Sequence, residues 1–263
     1  MPPPPLVSIV IATVNTPRLT SACLKSVLKN TAVPCEIVVI NNSRARAIRK
    51  CLAGFKRIRI IQNPRNLGYT QAANQGILAS KGRFLCFLNS DTRVPPRWLE
   101  RLLEVAEKPR VGAAGPRTAP NDFRWPAHDP KAGEALAALF EQLFQRYDRR
   151  LIQPAEFLTG FCLLIPRRVI DRAGLFDERY FFGWEDIDYS LRLRLLGYRL
   201  LKNCSLFIYH QESGSNSAPK RRGLVRQSER QFIAKWKSIL RSSSSGSQEL
   251  LREFNGRLQE LQR

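Results

Sequence analysis

No run of this sequence approaches the ~18 consecutive apolar residues needed to span a bilayer. No basic region precedes an apolar segment at the start, so Met1-Pro2-Pro3-Pro4-Pro5 does not read as a secretory signal and is expected to be a short extended lead-in. No pair of its six cysteines is spaced Cys-x-x-Cys, and several lie inside apolar runs, which argues against a zinc site or a disulfide frame and for reduced core thiols in a cytosolic protein. Histidine is nearly absent, at two residues. Acids are outnumbered, 22 against 43 basic residues, leaving a net charge of +21. That charge suits polyanionic neighbours (nucleic acid, an anionic membrane face or phosphorylated substrates) or, since the arginines are scattered and not confined to one stripe, a general arginine bias.

What remains is an ordinary globular composition, 43% hydrophobic over 263 residues, enough for one large α/β domain with appendages. The β-branched run Leu6 to Val14 is a first strand, followed by a helical spacing through Leu28. Glu36 to Ile40 is a second strand, a basic helix is expected near Ala45 to Phe55, and Arg59-Ile60-Ile61 is a short third strand. Strand, helix, strand, helix, strand in order predicts a parallel, doubly wound half-sheet. Asn66-Leu67-Gly68-Tyr69 then opens a helix from Gln71 to Ser80, and its turn can present backbone N–H groups to an anion.

Phe84-Leu85-Cys86-Phe87-Leu88 is an apolar run suited to a strand buried on both faces. It breaks into Asn89-Ser90-Asp91-Thr92, which places a polar cluster at the carboxyl end of a central strand, the edge where open α/β sheets bind ligands. Asp91 is the one ionisable acid of that cluster, positioned where a hard cation meets a phosphate. Taken alone, the cluster equally suits a turn and a helix cap.

Further on, residues 116 to 133 read as a loop, Glu134 to Tyr147 as an amphipathic helix, and Phe157 to Ile165 as a strand. Between Gly174 and Asp188, aromatic residues crowd around acids: Glu185, Asp186 and Asp188 fall within four positions beside Phe181, Phe182 and Trp184. A helix cap accounts for one acid. Three acids against apolar walls suit a carboxylate of raised pKa, a general base. The last apolar strand, Tyr198 to Ile208, ends at His210; a lone histidine at a strand end is usually structural or exposed, but a strand returning to the Asp91 edge would make it a candidate metal ligand. From Lys220 to Arg241, eight basic residues face one acid, Glu229, interleaved with Phe232, Ile233 and Trp236, the pattern of a helix lying in an anionic headgroup layer or packing back on the domain. Ser242 to Ser247 reads as a flexible linker and Gln248 to Gln262 as a terminal helix.

Four blocks together, residues 7–15, 36–43, 66–92 and 174–197, resemble the family 2 nucleotide-sugar glycosyltransferases, in particular their rhamnosyltransferase-like branch. The resemblance covers residues 6 to 212. It implies a GT-A fold, a Rossmann-like, mostly parallel sheet with helices on both faces, with a nucleotide-binding half over about 6–115 and an acceptor half over about 116–212. Beyond it, 213–241 is set apart as a basic segment and 242–263 as linker and terminal helix. The resemblance implies inverting transfer of a sugar from a nucleotide donor to a hydroxyl of a glycan or lipid-linked acceptor, in bacterial cell-surface polysaccharide synthesis. On the donor side it points to Thr13, Asn15 and Asn41 for the nucleoside, with Asn66, Gly68, Asn74, Ser90 and Asp91. It implies Asp186 as base, Trp184, Glu185 and Asp188 on the acceptor side, and Asp91 with His210 around Mg²⁺ or Mn²⁺. Two departures stand out: Asn41 replaces the family's usual Asp, and Asn89-Ser90-Asp91 replaces Asp-x-Asp. A cytoplasmic location is expected, with peripheral contact to the anionic inner membrane face and no specific nucleic acid. Competing readings are a basic nucleic-acid-binding α/β protein, favoured by charge, and a non-catalytic relative, favoured by Asn41.

Overall fold

The computed structural model describes residues 5–117, 151–211 and 218–242. The loop expected over most of 116–133, the amphipathic helix of 134–147 and the terminal helix of 248–262 lie outside the described residues. The elements run β1 (Val7–Thr13), α1 (Pro17–Asn30), β2 (Cys35–Asn41), α2 (Arg46–Ala53), β3 (Arg59–Gln62), α3 (Tyr69–Ala79), β4 (Phe84–Leu88), β5 (Thr92–Arg93), α4 (Trp98–Ala106), β6 (Val111–Arg117), β7 (Ile152–Pro154), β8 (Cys162–Pro166), α5 (Arg167–Ala173), α6 (Glu185–Leu195), β9 (Arg199–Phe207), β10 (Tyr209–His210) and α7 (Ala218–Ser242).

Eight strands form one sheet in the order β3-β2-β1-β4-β8-β6-β9-β7. β1 pairs in parallel with β2 and β4, and β2 with β3, as the alternation of strand and helix requires. β8 enters antiparallel between β4 and β6, so the sheet is mixed at its centre. That reversal fixes the site. The carboxyl ends of β1, β2 and β4 share one edge, and the residues just before β8 reach the same edge because Leu88 faces Cys162 in the register.

Strand alternation divides the core. Val7, Ile9 and Ile11 of β1 pack under α1, α2 and α4, whereas Val10 faces α3, α5 and α6. β4 is buried along its whole length, as an apolar run in a central strand must be. α3 lies close against β1: a Cβ at Gly76 would fall 2.2 Å from Val10 Cγ1, so only glycine permits this approach. A third apolar cluster joins Tyr180 and Leu191 to Phe232 and Trp236 of α7. The aromatic residues of the basic segment therefore pack on the domain, Phe232 at 2% and Trp236 at 5% exposure, and are not available to enter a lipid layer. Burial of two large aromatic faces outweighs exposing them on a helix that has an apolar wall beside it. Among the described residues no helix is long and apolar enough to cross a membrane.

Candidate active site

β4 ends at Leu88, and the chain turns through Asn89, Ser90 and Asp91 into β5. Thr92 Oγ1 donates to the Asn89 carbonyl at 2.7 Å, closing the turn. β5 pairs with β10 so that Thr92 faces His210, and Gln211 N donates to the Asp91 carbonyl at 3.1 Å. These two-residue strands bring groups 119 positions apart into contact: His210 Nε2 lies 3.2 Å from Asp91 Oδ1, and the Asn89 carboxamide nitrogen lies 3.2 Å from the same imidazole atom. Both side chains are partly open to solvent, Asp91 at 18% and His210 at 21%. Phe161 stacks on the His210 ring, with centroids 4.9 Å apart and planes within 8°.

Whether these residues suit a divalent cation is a question of donor type and spacing. Two cis ligands on an octahedral ion at about 2.1 Å sit about 3 Å apart, close to the observed separation. A carboxylate oxygen completed by phosphate oxygens and water suits Mg²⁺ or Mn²⁺, and the imidazole nitrogen favours Mn²⁺ of the two. Among the described residues no third His, Cys, Asp or Glu joins them. The fit is that of an open cation site completed by a phosphorylated ligand.

The acid cluster is set by a backbone device. Gly183 and Trp184 both have positive φ, 77° and 73°, and this left-handed corner starts α6 with Glu185, Asp186 and Asp188 in its first turn. Carboxylates there meet the positive end of the helix dipole. Asp186 is partly exposed. Its Oδ2 accepts from Gly160 N at 2.8 Å and its Oδ1 from Ile187 N at 2.9 Å. Burial raises its pKa, and those backbone N–H groups oppose the rise. Glu185 is 8% exposed, and its Oε2 has no hydrogen-bond partner among the described residues. Burial first, and the Asp186 charge second, push its pKa up to about 8. Burial thus raises both neighbouring carboxyls, and in each backbone N–H groups oppose the rise.

Asp188 is fully buried, accepting from Lys235 Nζ (2.6 Å), Trp236 Nε1 (3.0 Å), Arg192 Nε (3.0 Å) and Tyr180 Oη (3.2 Å). Four donors satisfy it as the anchor of α7. Trp184 packs its ring on Phe232 at 5.0 Å. Asn74 is likewise engaged: its amide donates to the Phe176 carbonyl and Glu178 Oε1, each at 2.9 Å, and its oxygen accepts from Phe176 N at 3.0 Å. It ties α3 to the 174–184 loop.

The other residues expected on the donor side lie at or beyond the carboxyl ends of β1, β2, β3 and β4. Thr13 is buried, with its hydroxyl 2.7 Å from that of Thr20, and Asn15 follows it, exposed and at φ 47°. Asn41 is fully buried; its oxygen accepts from Ser43 N at 3.1 Å and its nitrogen donates to Gln62 Oε1 at 2.7 Å. A carboxamide performs both bonds, whereas an Asp could only accept, so the Asn at this position matches its Gln62 neighbour. Asn66 Oδ1 accepts from Gly68 N at 2.9 Å. Gly68 has φ 88°, and a Cβ there would meet the Phe181 carbonyl oxygen at 2.7 Å. Ser90 is partly exposed within the Asp91 turn.

Two contributors were not singled out in the sequence. Gly160 and Phe161 bridge the Asp186 and Asp91 groups, and Tyr69 Oη donates to the Gly160 carbonyl at 3.2 Å. Their only signal is position, since Thr159-Gly160-Phe161 leads an apolar strand.

A parallel half-sheet with a polar carboxyl edge, continued by an antiparallel strand into a mixed sheet with helices on both faces, is the architecture of the GT-A fold. The chain belongs to the family described as Glycosyl transferase family 2, whose profile matches residues 8–174. Relatives include the succinoglycan biosynthesis protein ExoO of Rhizobium meliloti, 29% identical over 81% of this chain and 63% of that protein. Another is the O-antigen biosynthesis protein RfbC of Myxococcus xanthus, 27% identical over 81% of this chain and 18% of that protein. A third is N-acetylglucosaminyl-diphospho-decaprenol L-rhamnosyltransferase of Mycobacterium tuberculosis, 27% identical over 61% of each chain. The chain thus spans less than two thirds of these relatives' lengths. Among solved structures, the mannosyltransferase PcManGT of Pyrobaculum calidifontis with GDP-Man and Mn²⁺ superposes with a TM-score of 0.61 at 14% identity, over 97% of this chain and 81% of that one. GalNAc-T7 with UDP, GalNAc and Mn²⁺ gives 0.63 at 20% identity, over 86% and 48%. Both share the fold.

Proposed function

We propose that this glycosyltransferase is an inverting, metal-assisted enzyme that moves a sugar from a nucleotide donor to a hydroxyl of a glycan or lipid-linked acceptor. The donor half is residues 6–115 and the acceptor half begins near 116. The observation that carries the reading is the contact of Asp186 with Gly160, one residue from the Phe161 ring that stacks on His210. A base and a cation site thereby share one cleft.

Asp91 and His210 would hold Mg²⁺ or Mn²⁺, and such an ion would offset the negative charge that grows on a leaving diphosphate. The exposed Asn15, with the turns at Asn66-Gly68 and Ser90, lines the donor edge. Asp186 accepts the proton of the attacking acceptor hydroxyl at Oδ1 or Oδ2; the Gly160 and Ile187 N–H groups hold the carboxylate in place for that transfer. One displacement from the face opposite the diphosphate inverts the anomeric carbon. Glu185, protonated, can donate a hydrogen bond to an acceptor oxygen and adds no second negative charge beside the base. The relatives' names favour a polysaccharide or lipid-linked acceptor, and the basic exposed face of α7 favours peripheral contact with an anionic membrane face.

Thermal-shift measurements with a panel of nucleotide sugars, with and without Mn²⁺, test the donor class, because a ligand of the native state raises its melting temperature. Asp186→Asn is expected to keep donor-dependent stabilisation and lose about 10²-fold or more in turnover. Asp91→Ala is expected to lose the Mn²⁺-dependent part of the shift. Full turnover in excess chelator would overturn the metal-assisted reading.

A further inference from the structure

Two consecutive residues outside every motif read in the sequence touch both halves of the reaction centre. Gly160 N donates to Asp186 Oδ2 at 2.8 Å, and its carbonyl accepts from Tyr69 Oη at 3.2 Å. The Phe161 carbonyl accepts from Asn89 N at 2.8 Å, and its ring stacks on His210 at 4.9 Å and 8°. Phe161 is itself 7% exposed and rooted in the core cluster that contains Leu88, Cys162 and Ile208. Its ring is therefore a fixed plane. His210 sits on a two-residue strand with one side open, and the second torsion of an imidazole is broad unless something restricts it.

We propose that Phe161 is a positioning residue: its ring sets the plane of His210 and its carbonyl holds the Asn89–Asp91 turn, so that the imidazole and carboxylate face one cation. The proposal rests on the metal-assisted reading above. Gly160 beside it clamps the proposed base, so the same short segment sets the cation site against the base. Ligand-orienting contacts of this kind govern affinity without touching the metal.

The test uses the full chain, Mn²⁺ alone as probe and the imidazole proton resonances as readout. With two histidines in the sequence, a His128→Gln variant assigns the His210 signals. Mn²⁺ should broaden His210 in the unchanged protein. Phe161→Leu should require about tenfold more Mn²⁺ for the same broadening, and should move the His210 ring protons downfield as the neighbouring ring current is lost. Phe161→Tyr should restore both, whereas a non-aromatic variant of the same melting temperature should keep the raised Mn²⁺ requirement, which a merely structural role would not predict. Phe161→Met serves as the second non-aromatic variant if leucine unfolds the chain, with melting curves as the check. Asp91→Ala separates the two ideas. If it raises the Mn²⁺ requirement while Phe161→Leu and Phe161→Met leave it unchanged, the positioning role is overturned and the cation site stands. If none of the variants alters the broadening, the cation site falls and the positioning role with it.

Discussion

Glu185 and Asp186 show how neighbouring residues of like chemistry are given different properties. Asp186 receives two backbone N–H groups, while Glu185 is enclosed with one oxygen unpartnered and a pKa pushed up to about 8. The consequence for stability has a definite sign. A carboxyl whose pKa is raised in the folded state binds its proton more tightly there than in the unfolded chain. Its contribution is complete below the ordinary value of 4.5 and is lost as pH rises toward about 8. Glu185→Gln keeps a neutral group of the same size. It is expected to match the unchanged protein in melting temperature near pH 4 and to exceed it progressively toward pH 8, measured in a series of buffers. A constant difference across that range would show that Glu185 carries no such shift. The presence of an acid cluster was legible in the sequence because three acids in four positions beside aromatics exceed what a helix cap needs. The division of labour was not. Which carboxyl is clamped, which is enclosed and which is turned inward depends on Gly160, on the left-handed corner at Trp184 and on the approach of α7, none of which a local pattern encodes.

At the scale of elements, α7 is the part whose reading changed most. Its spacing of basic and aromatic residues is that of an interfacial helix, and the same spacing is what a helix docking on a protein requires. Position decides: the wall made by Tyr180 and Leu191 lies beside it, and Asp188 projects from α6 to meet it. Lys235 bridges Asp188 and Asp177, at 2.6 and 2.9 Å. Burial acts to raise the Asp177 carboxyl, but hydrogen bonds from Arg179 and Lys235 outweigh it and hold the group well below the usual range. Lys235→Met removes a cation from a fully buried carboxylate while keeping most of the packing. The expected loss is roughly 1–3 kcal/mol, since Asp188 retains Arg192, Trp236 and Tyr180 as donors. A lowered denaturant midpoint with an unchanged slope would be its signature. The parallel half of the sheet was legible because β-branched runs alternate with helical spacing. The antiparallel entry of β8 was not, because an apolar run of five residues carries no direction. Asn74 escaped for a similar reason: its partners Phe176 and Glu178 lie more than 100 positions away.

For the whole molecule, the charge of +21 and the docking of α7 must be read together. With Phe232 and Trp236 engaged, the exposed basic residues of α7 among those whose burial is described are Arg222, Arg226, Arg230 and Lys237. The three arginines recur every four residues and so lie along one side of the helix over roughly 12 Å. α7 grips α6, the helix carrying the proposed base, through Lys235 and Trp236. A contact through the arginine side would therefore hold the acceptor-facing half near a layer of anionic headgroups without inserting any side chain. Attraction of this kind is worth about 1 kcal/mol per basic residue near the surface and fades within a Debye length. Co-sedimentation with vesicles tests it. The expected outcome is binding to vesicles rich in anionic lipid and not to neutral ones, released by about 0.5 M salt, where screening shortens the reach of each charge to a few ångströms. Arg222→Glu, Arg226→Glu and Arg230→Glu combined should abolish the binding while leaving the melting temperature close to that of the unchanged protein, because those side chains are exposed. Binding that survives high salt would point instead to apolar insertion from elsewhere in the chain, and equal recovery in the supernatant with both vesicle types would leave α7 as a buttress of the catalytic domain alone.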